Sequence, residues 1–177
     1  MPATVSSDDG AHMWVEAPPA RMSRLELLST REYLGLTHAA FAKVLEVNER
    51  TVRSWEGGRE PIPERIRAAV GRARAYTDRT VDDLVDMCEH RGERLLVVYR
   101  DDGAFSGALP LHAHRGFTAR WWRQVSARAQ NRLDGATVVS AEEHDALGGD
   151  AIEEHAFGAP PRDTVREVHP VELWSRS

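Results

Sequence analysis

The sequence predicts an α+β protein, with an N-terminal all-α bundle of short helices separated by tight turns, followed by a small module of helices and strands. Three observations carry that prediction. Between residues 22 and 75, apolar residues recur at helical spacing, and capping and turn residues separate them in place of long loops. Leu95-Leu96-Val97-Val98-Tyr99 is a short apolar run suited to a buried strand. Ala136 to Ser140 offers a second such run, after an intervening helical stretch at 117–133.

Residues 1–21 carry Pro2, Asp8, Asp9, Gly10, Pro18 and Pro19 without periodicity and are expected to form a disordered arm. Ser23 then opens a helix, with Glu26 three positions on to complete a reciprocal cap. Leu25, Leu28 and Leu34 are expected to face inward. Gly35 follows them, free to take the left-handed conformation that closes a helix. Thr37 caps the second helix, in which Ala39 and Ala40 permit close packing and Phe41, Val44 and Leu45 form the buried stripe. Glu46-Val47-Asn48 is a turn. Asn48 caps a third helix whose inward residues are Val52 and Trp55, and Gly57-Gly58 ends it. Pro61-Ile62-Pro63 makes a stiff link, with Pro63 fitting the first turn of a fourth helix.

Farther on, Ile66, Ala69, Val70 and Ala73 define one amphipathic stripe, and Val81, Leu84, Val85 and Cys88 define another, read as a separate helix at 76–92. Residues 101–116, rich in Gly, Pro and His, read as a loop region. From Ala141 the chain turns acidic. The expected organisation is therefore an arm (1–21), a helical domain (22–75), a mixed domain of helices and strands (76–140) and a mostly mobile tail (141–177).

The charge distribution supports that division. The chain of 177 residues has a net charge of −5, yet residues 21–79 carry 12 Lys or Arg against 8 Asp or Glu, net +4, while the remainder carries 11 against 20, net −9. A basic module joined to an acidic remainder suits a nucleic-acid partner for the first part. No run of about 18 apolar residues exists to cross a membrane, and no basic start precedes an apolar segment as in a secretion signal, so a cytoplasmic location is expected. The single cysteine, Cys88, is expected to be a buried, inert thiol.

Three short helices in about 35 residues, split by a three-residue turn, make the arrangement that lays one helix in a major groove. The stretch LSTREYLGLTHAAFAKVLEVNERTVRSWEGGREPIPERI resembles the XRE-type (lambda-repressor-like) helix-turn-helix domain. That family's pattern is Leu-Gly-Leu-Thr, a helix of small apolar residues, Val-Ser/Asn, and Trp-Glu-x-Gly. Two departures stand out. Glu46 occupies a position where the family usually has Gly, and Ala40 lies where a capping Glu is common. A non-Gly residue held left-handed at 46 costs on the order of 1–2 kcal/mol.

The resemblance implies a salt bridge between Arg31 and Glu56 that ties the first helix to the third. It also implies that Thr37 and His38, at the start of the second helix, touch the DNA backbone, where N–H groups favour an anion. The third helix exposes Asn48, Glu49, Arg50, Arg53 and Ser54. Arg50 can read guanine with two hydrogen bonds, and Glu49 can accept from cytosine. Asn48 is more a cap than an adenine reader. Ser54 lies one turn after Arg50, within reach of a base or a phosphate, and Arg53 and Arg59 suit phosphates. The second half, with its strand ending in Tyr99-Arg100, a loop and the helix TARWWRQVSARA, resembles the dimerisation part of small anti-CRISPR-associated autorepressors. This implies a homodimer. Val97, Trp121 and Trp122 are the candidate interface residues; Trp121 and Trp122 point in different directions on a helix, so one of the two is expected to fill the core and the other to anchor the interface.

His112-Ala113-His114 would share one face of a strand, but no third ligand lies at a fixed spacing, so no metal site is expected, and no cofactor. Neither a Gly-rich phosphate loop nor a nucleophile-base pair stands out, so no enzyme is expected. The function expected from sequence is a homodimeric (auto)repressor reading a palindromic site in double-stranded DNA. Two alternatives stay open: an antitoxin whose second half or acidic tail wraps a toxic protein partner, and a regulator that senses a ligand through its C-terminal domain.

Overall fold

The computed structural model describes residues 21–147 and bears out the α+β class. Residues 1–20 of the expected arm and the tail from residue 148 lie outside the described residues. The described elements are α1 (Arg24–Tyr33), α2 (His38–Val44), α3 (Glu49–Glu56), α4 (Glu64–Arg91), β1 (Leu95–Val98), α5 (Asp102–Ala108), α6 (Pro110–His114), α7 (Ala119–Gln130), β2 (Thr137–Ser140) and α8 (Ala141–Ala146). Among the described residues no helix is long and apolar enough to cross a membrane.

The local signals of the N-terminal helices appear as read. Ser23 and Glu26 cap one another, and Thr37 and Asn48 cap α2 and α3 through their side chains. Gly35 is left-handed at φ 66°, and Glu46 is the one non-glycine residue with positive φ among the described residues, at 54°. The phase of α1 differs from expectation. Leu27, Thr30 and Leu34 face the core, while Leu25 is 60% exposed and Leu28 is half-buried.

The expected break near residue 75 does not occur. α4 runs unbroken for 28 residues until Gly92, left-handed, stops it. Its two apolar stripes are joined through Thr77 and Thr80, both buried, whose hydroxyls donate to the carbonyls of Ala73 and Tyr76 one turn back. A threonine satisfied in this way enters a core without an orphaned hydroxyl. The core is accordingly continuous from the N-terminal helices to the second half. Residues 101–116 hold two short helices in place of a loop, with Asp101 capping α5 and Pro110 in the first turn of α6. Residues 141–146, expected in the tail, form α8, capped by Ser140 and Glu143.

β1 and β2 pair in parallel, Leu95 opposite Thr137 through Val98 opposite Ser140. Parallel strands need a long return connection, and α5, α6 and α7 supply it. α7 lies between α4 on one side and the strands on the other. This placement overturns the expected dimer interface. Trp121, Trp122 and Val97 are 0%, 2% and 5% exposed within a single chain. Trp121 Nε1 donates to Thr77 Oγ1 at 3.0 Å, on the α4 side, and Trp122 Nε1 donates to the Val97 carbonyl at 2.8 Å, on the strand side. Adjacent helical residues point in different directions, but here both directions lead inward.

Around Trp121 gather Phe117, with ring centroids 4.3 Å apart, Tyr76 and His112. His112 lies on a helix and is buried, its Nδ1 2.7 Å from the Tyr76 hydroxyl, so it does not share an open strand face with His114. Burial, with the nearby charge of Arg115 adding to it, pushes the His112 imidazole down to about 4 from the ordinary 6.5. An unfolded chain takes up this proton near pH 6.5 and the folded chain only near 4. The neutral ring therefore contributes its full stability above about 6.5 and loses it as pH falls toward 4, by up to roughly 3 kcal/mol. Urea midpoints at pH 7.5 and 4.5 should differ by less in His112→Leu than in the wild type. An unchanged difference would show that the acid sensitivity lies elsewhere.

Burial likewise pushes the Cys88 thiol up, in keeping with an inert side chain.

Candidate nucleic-acid interface

α3 is the element on which the candidate site rests. Val52 and Trp55, 0% and 3% exposed, anchor its inner face against the core. Its principal packing partners are α2 and α1. Asn48 is committed as a cap, its Oδ1 accepting from Arg50 N at 2.8 Å. With the inner face fixed, Arg50 and Arg53 are exposed and Glu49 is half-buried on the outer face. Glu49 and Arg53 pair with each other, Arg53 Nε to Glu49 Oε1 at 3.0 Å. Such an exposed pair one turn apart is worth only about 0.3–0.5 kcal/mol, so a phosphate or a base can displace it cheaply. The Arg50 side chain has no ion pair or hydrogen bond among the described residues. Ser54 is half-buried one turn after Arg50, and Arg59 is exposed just beyond the helix.

A buried ionic bracket fixes how α3 sits. Arg31 on α1 donates to both oxygens of Glu56 on α3, Nε to Oε1 at 2.7 Å and Nη2 to Oε2 at 3.1 Å. Its Nη1 donates to the Leu36 carbonyl at 3.1 Å. The two side chains are 12% and 8% exposed. His38 on α2 completes the bracket, with Nε2 2.9 Å from Glu56 Oε2. All three helices of the bundle therefore meet at one carboxylate. This revises the reading of His38, whose ring turns inward to Glu56 and not outward to a nucleic-acid backbone. The Thr37 hydroxyl oxygen accepts from Ala40 N as the cap of α2.

Other contacts hold this bundle on the second half, and sequence spacing carries no sign of them. The Arg128 guanidinium lies 3.8 Å from the centre of the Tyr33 ring and donates to the Tyr33 carbonyl, across 95 residues of chain. The Tyr33 hydroxyl donates to Asp78, and burial together with that hydrogen bond holds the phenol above its ordinary range. Two glycines permit the close approach. A Cβ on Gly35 would stand 2.5 Å from Gln124 Cγ of α7, and one on Gly116 only 3.2 Å from the Val44 backbone nitrogen at the end of α2.

What this arrangement can do chemically is present one free guanidinium, flanked by a displaceable ion pair, from a helix fixed on its other side. No family model and no curated protein matches the chain.

Proposed function

We propose that the protein is a sequence-specific DNA-binding transcriptional regulator that places α3 in a major groove, with Arg50 reading guanine. The observation that carries this reading is the position of Arg50, exposed and unengaged among the described residues near the start of a helix whose orientation Arg31, Glu56 and His38 hold. A guanidinium in that position offers the two parallel donors that guanine O6 and N7 accept. Arg53 and Arg59 supply phosphate contacts, and Glu49, released from Arg53, is available to a cytosine amine. One such unit covers a short site, so specific affinity comes from two copies acting on two half-sites about 34 Å apart, as a homodimer on a palindrome. The surface that joins the copies is other than Val97, Trp121 and Trp122.

Selection from random duplexes, followed by gel shift at a fixed salt concentration, tests the proposal. The wild type should enrich a two-fold-related site and bind it with an affinity that falls steeply with salt. Arg50→Ala should weaken binding to that site by about 5- to 150-fold, corresponding to about 1–3 kcal/mol, with the melting temperature and binding to unrelated duplex unchanged. Equal binding by the variant would remove Arg50 as a base reader. Failure of the wild type to enrich any site would remove the regulator reading.

A further inference from the structure

Between the N-terminal bundle and the second half lies an open cleft of about 510 Å³, within the range of about 300–1,000 Å³ that small-molecule sites occupy. α2 forms one wall, and the starts of α5 and α7 form the other. Small side chains, Ala39 and Ala40 on one wall and Ala113 and Ala119 on the other, leave the space open. Phe117, itself 3% exposed, gives it an apolar floor.

The cleft is cationic. Lys43, Arg100, Arg120 and Arg123 line it, opposed by two carboxylates, Asp101 and Asp102. Both carboxylates are already engaged. Asp101 Oδ1 accepts from Ala104 N at 2.9 Å, and Asp102 Oδ1 accepts from Ala119 N at 2.8 Å. Arg100 leans toward Asp101 at the exposed rim. Arg123 is held in place, its Nη1 donating to the carbonyls of Tyr99 at 2.6 Å and Arg100 at 3.2 Å, which leaves the rest of its guanidinium available. The side chains of Lys43 and Arg120 have no ion pair or hydrogen bond among the described residues.

The geometry points to a binding site for a small organic polyanion, a molecule with two or more carboxylate or phosphate groups on a body small enough to enter the cleft. The preset Arg123 and the uncommitted Lys43 and Arg120 take its charges, and the apolar floor takes its carbon skeleton. Duplex DNA is a poorer occupant, because a stiff rod reaches the rim of a concave cleft and leaves the floor empty. Because α2 is one wall and also packs directly on α3, an occupied cleft biases the orientation of α3, provided the ligand favours one arrangement over another. That coupling rests on the regulator reading; the binding itself does not.

Titration calorimetry and thermal melting of the full chain with citrate and with inorganic pyrophosphate, ionic strength being held constant with sodium chloride, test the site. A saturable heat and a raised melting temperature are expected for at least one probe. The double variant Lys43→Gln, Arg120→Gln should melt like the wild type without probe and bind the probe at least about tenfold more weakly, as loss of charge-assisted hydrogen bonds requires. Absence of saturable binding to either probe, or equal binding by wild type and variant, would overturn the proposal. So would a variant that keeps its probe affinity but whose duplex affinity depends less steeply on salt, since these cations would then be backbone contacts. A wild type that binds probe but no duplex would sink the regulator reading and leave the anion site standing.

Discussion

Trp121→Ala should destabilise the folded chain by about 3–5 kcal/mol, the range for removing a large aromatic side chain from a packed core. The indole is fully buried, lies against Phe117, Tyr76, Phe105 and His112, and directs its N–H to Thr77 Oγ1. Truncation therefore opens a cavity where α7 meets α4 and removes a partner from the Thr77 hydroxyl. Trp121→Phe keeps part of the ring volume and should lose less. Urea denaturation at several protein concentrations is the measurement. Stabilities of wild type and variant that differ by the same amount at every concentration fit a core residue. A difference that grows as the protein is concentrated would return Trp121 to an interface between copies.

Arg31→Ala should cost a similar amount, about 3–5 kcal/mol, because it leaves the Glu56 carboxylate buried without its bidentate partner. His38 Nε2 stays 2.9 Å from Glu56 Oε2, which holds the expected loss toward the lower end. Removing Glu56 instead strands a guanidinium that keeps only the Leu36 carbonyl. The double variant Arg31→Met, Glu56→Leu replaces both charges with apolar groups and should recover a large part of the stability lost in Arg31→Ala, since neither side chain is then left unpaired. A thermodynamic cycle over the two single variants and Arg31→Ala, Glu56→Ala should give a coupling within about 0.5–3 kcal/mol. A coupling near zero would mean that the bracket has no part in setting α3.

The most legible parts of the molecule were those decided within four residues of chain. The caps at Ser23, Thr37 and Asn48 and the left-handed Gly35 follow from local hydrogen bonding and backbone sterics, so they could be read directly, whereas the left-handed Glu46 was reached only through the family resemblance. The Arg31–Glu56 pair spans 25 residues and was reached only through the family resemblance, not from spacing. Misreadings came where a local rule has two outcomes. Thr77 and Thr80 look like an interruption between two apolar stripes, yet a hydroxyl that turns back to the preceding carbonyl keeps the stripe buried and the helix intact. Gly103, Gly107 and Pro110 suggest a loop, yet Asp101 and Pro110 also start helices. In α1, three leucines crowd into four positions, and the tertiary partner decides which of them faces inward.

By itself the sequence determined the α+β class, the short capped helices of the N-terminal bundle, the strand runs, and a third helix whose outer face carries Arg50. These depend on periodicity and on groups that satisfy one another locally. Only the tertiary structure decided that Trp121 and Trp122 are both interior, that His38 turns to Glu56, and that a cationic cleft lies between α2 and α7. A side chain's burial depends on what covers it, and the covering elements stand far away in sequence, brought there by packing rather than by spacing.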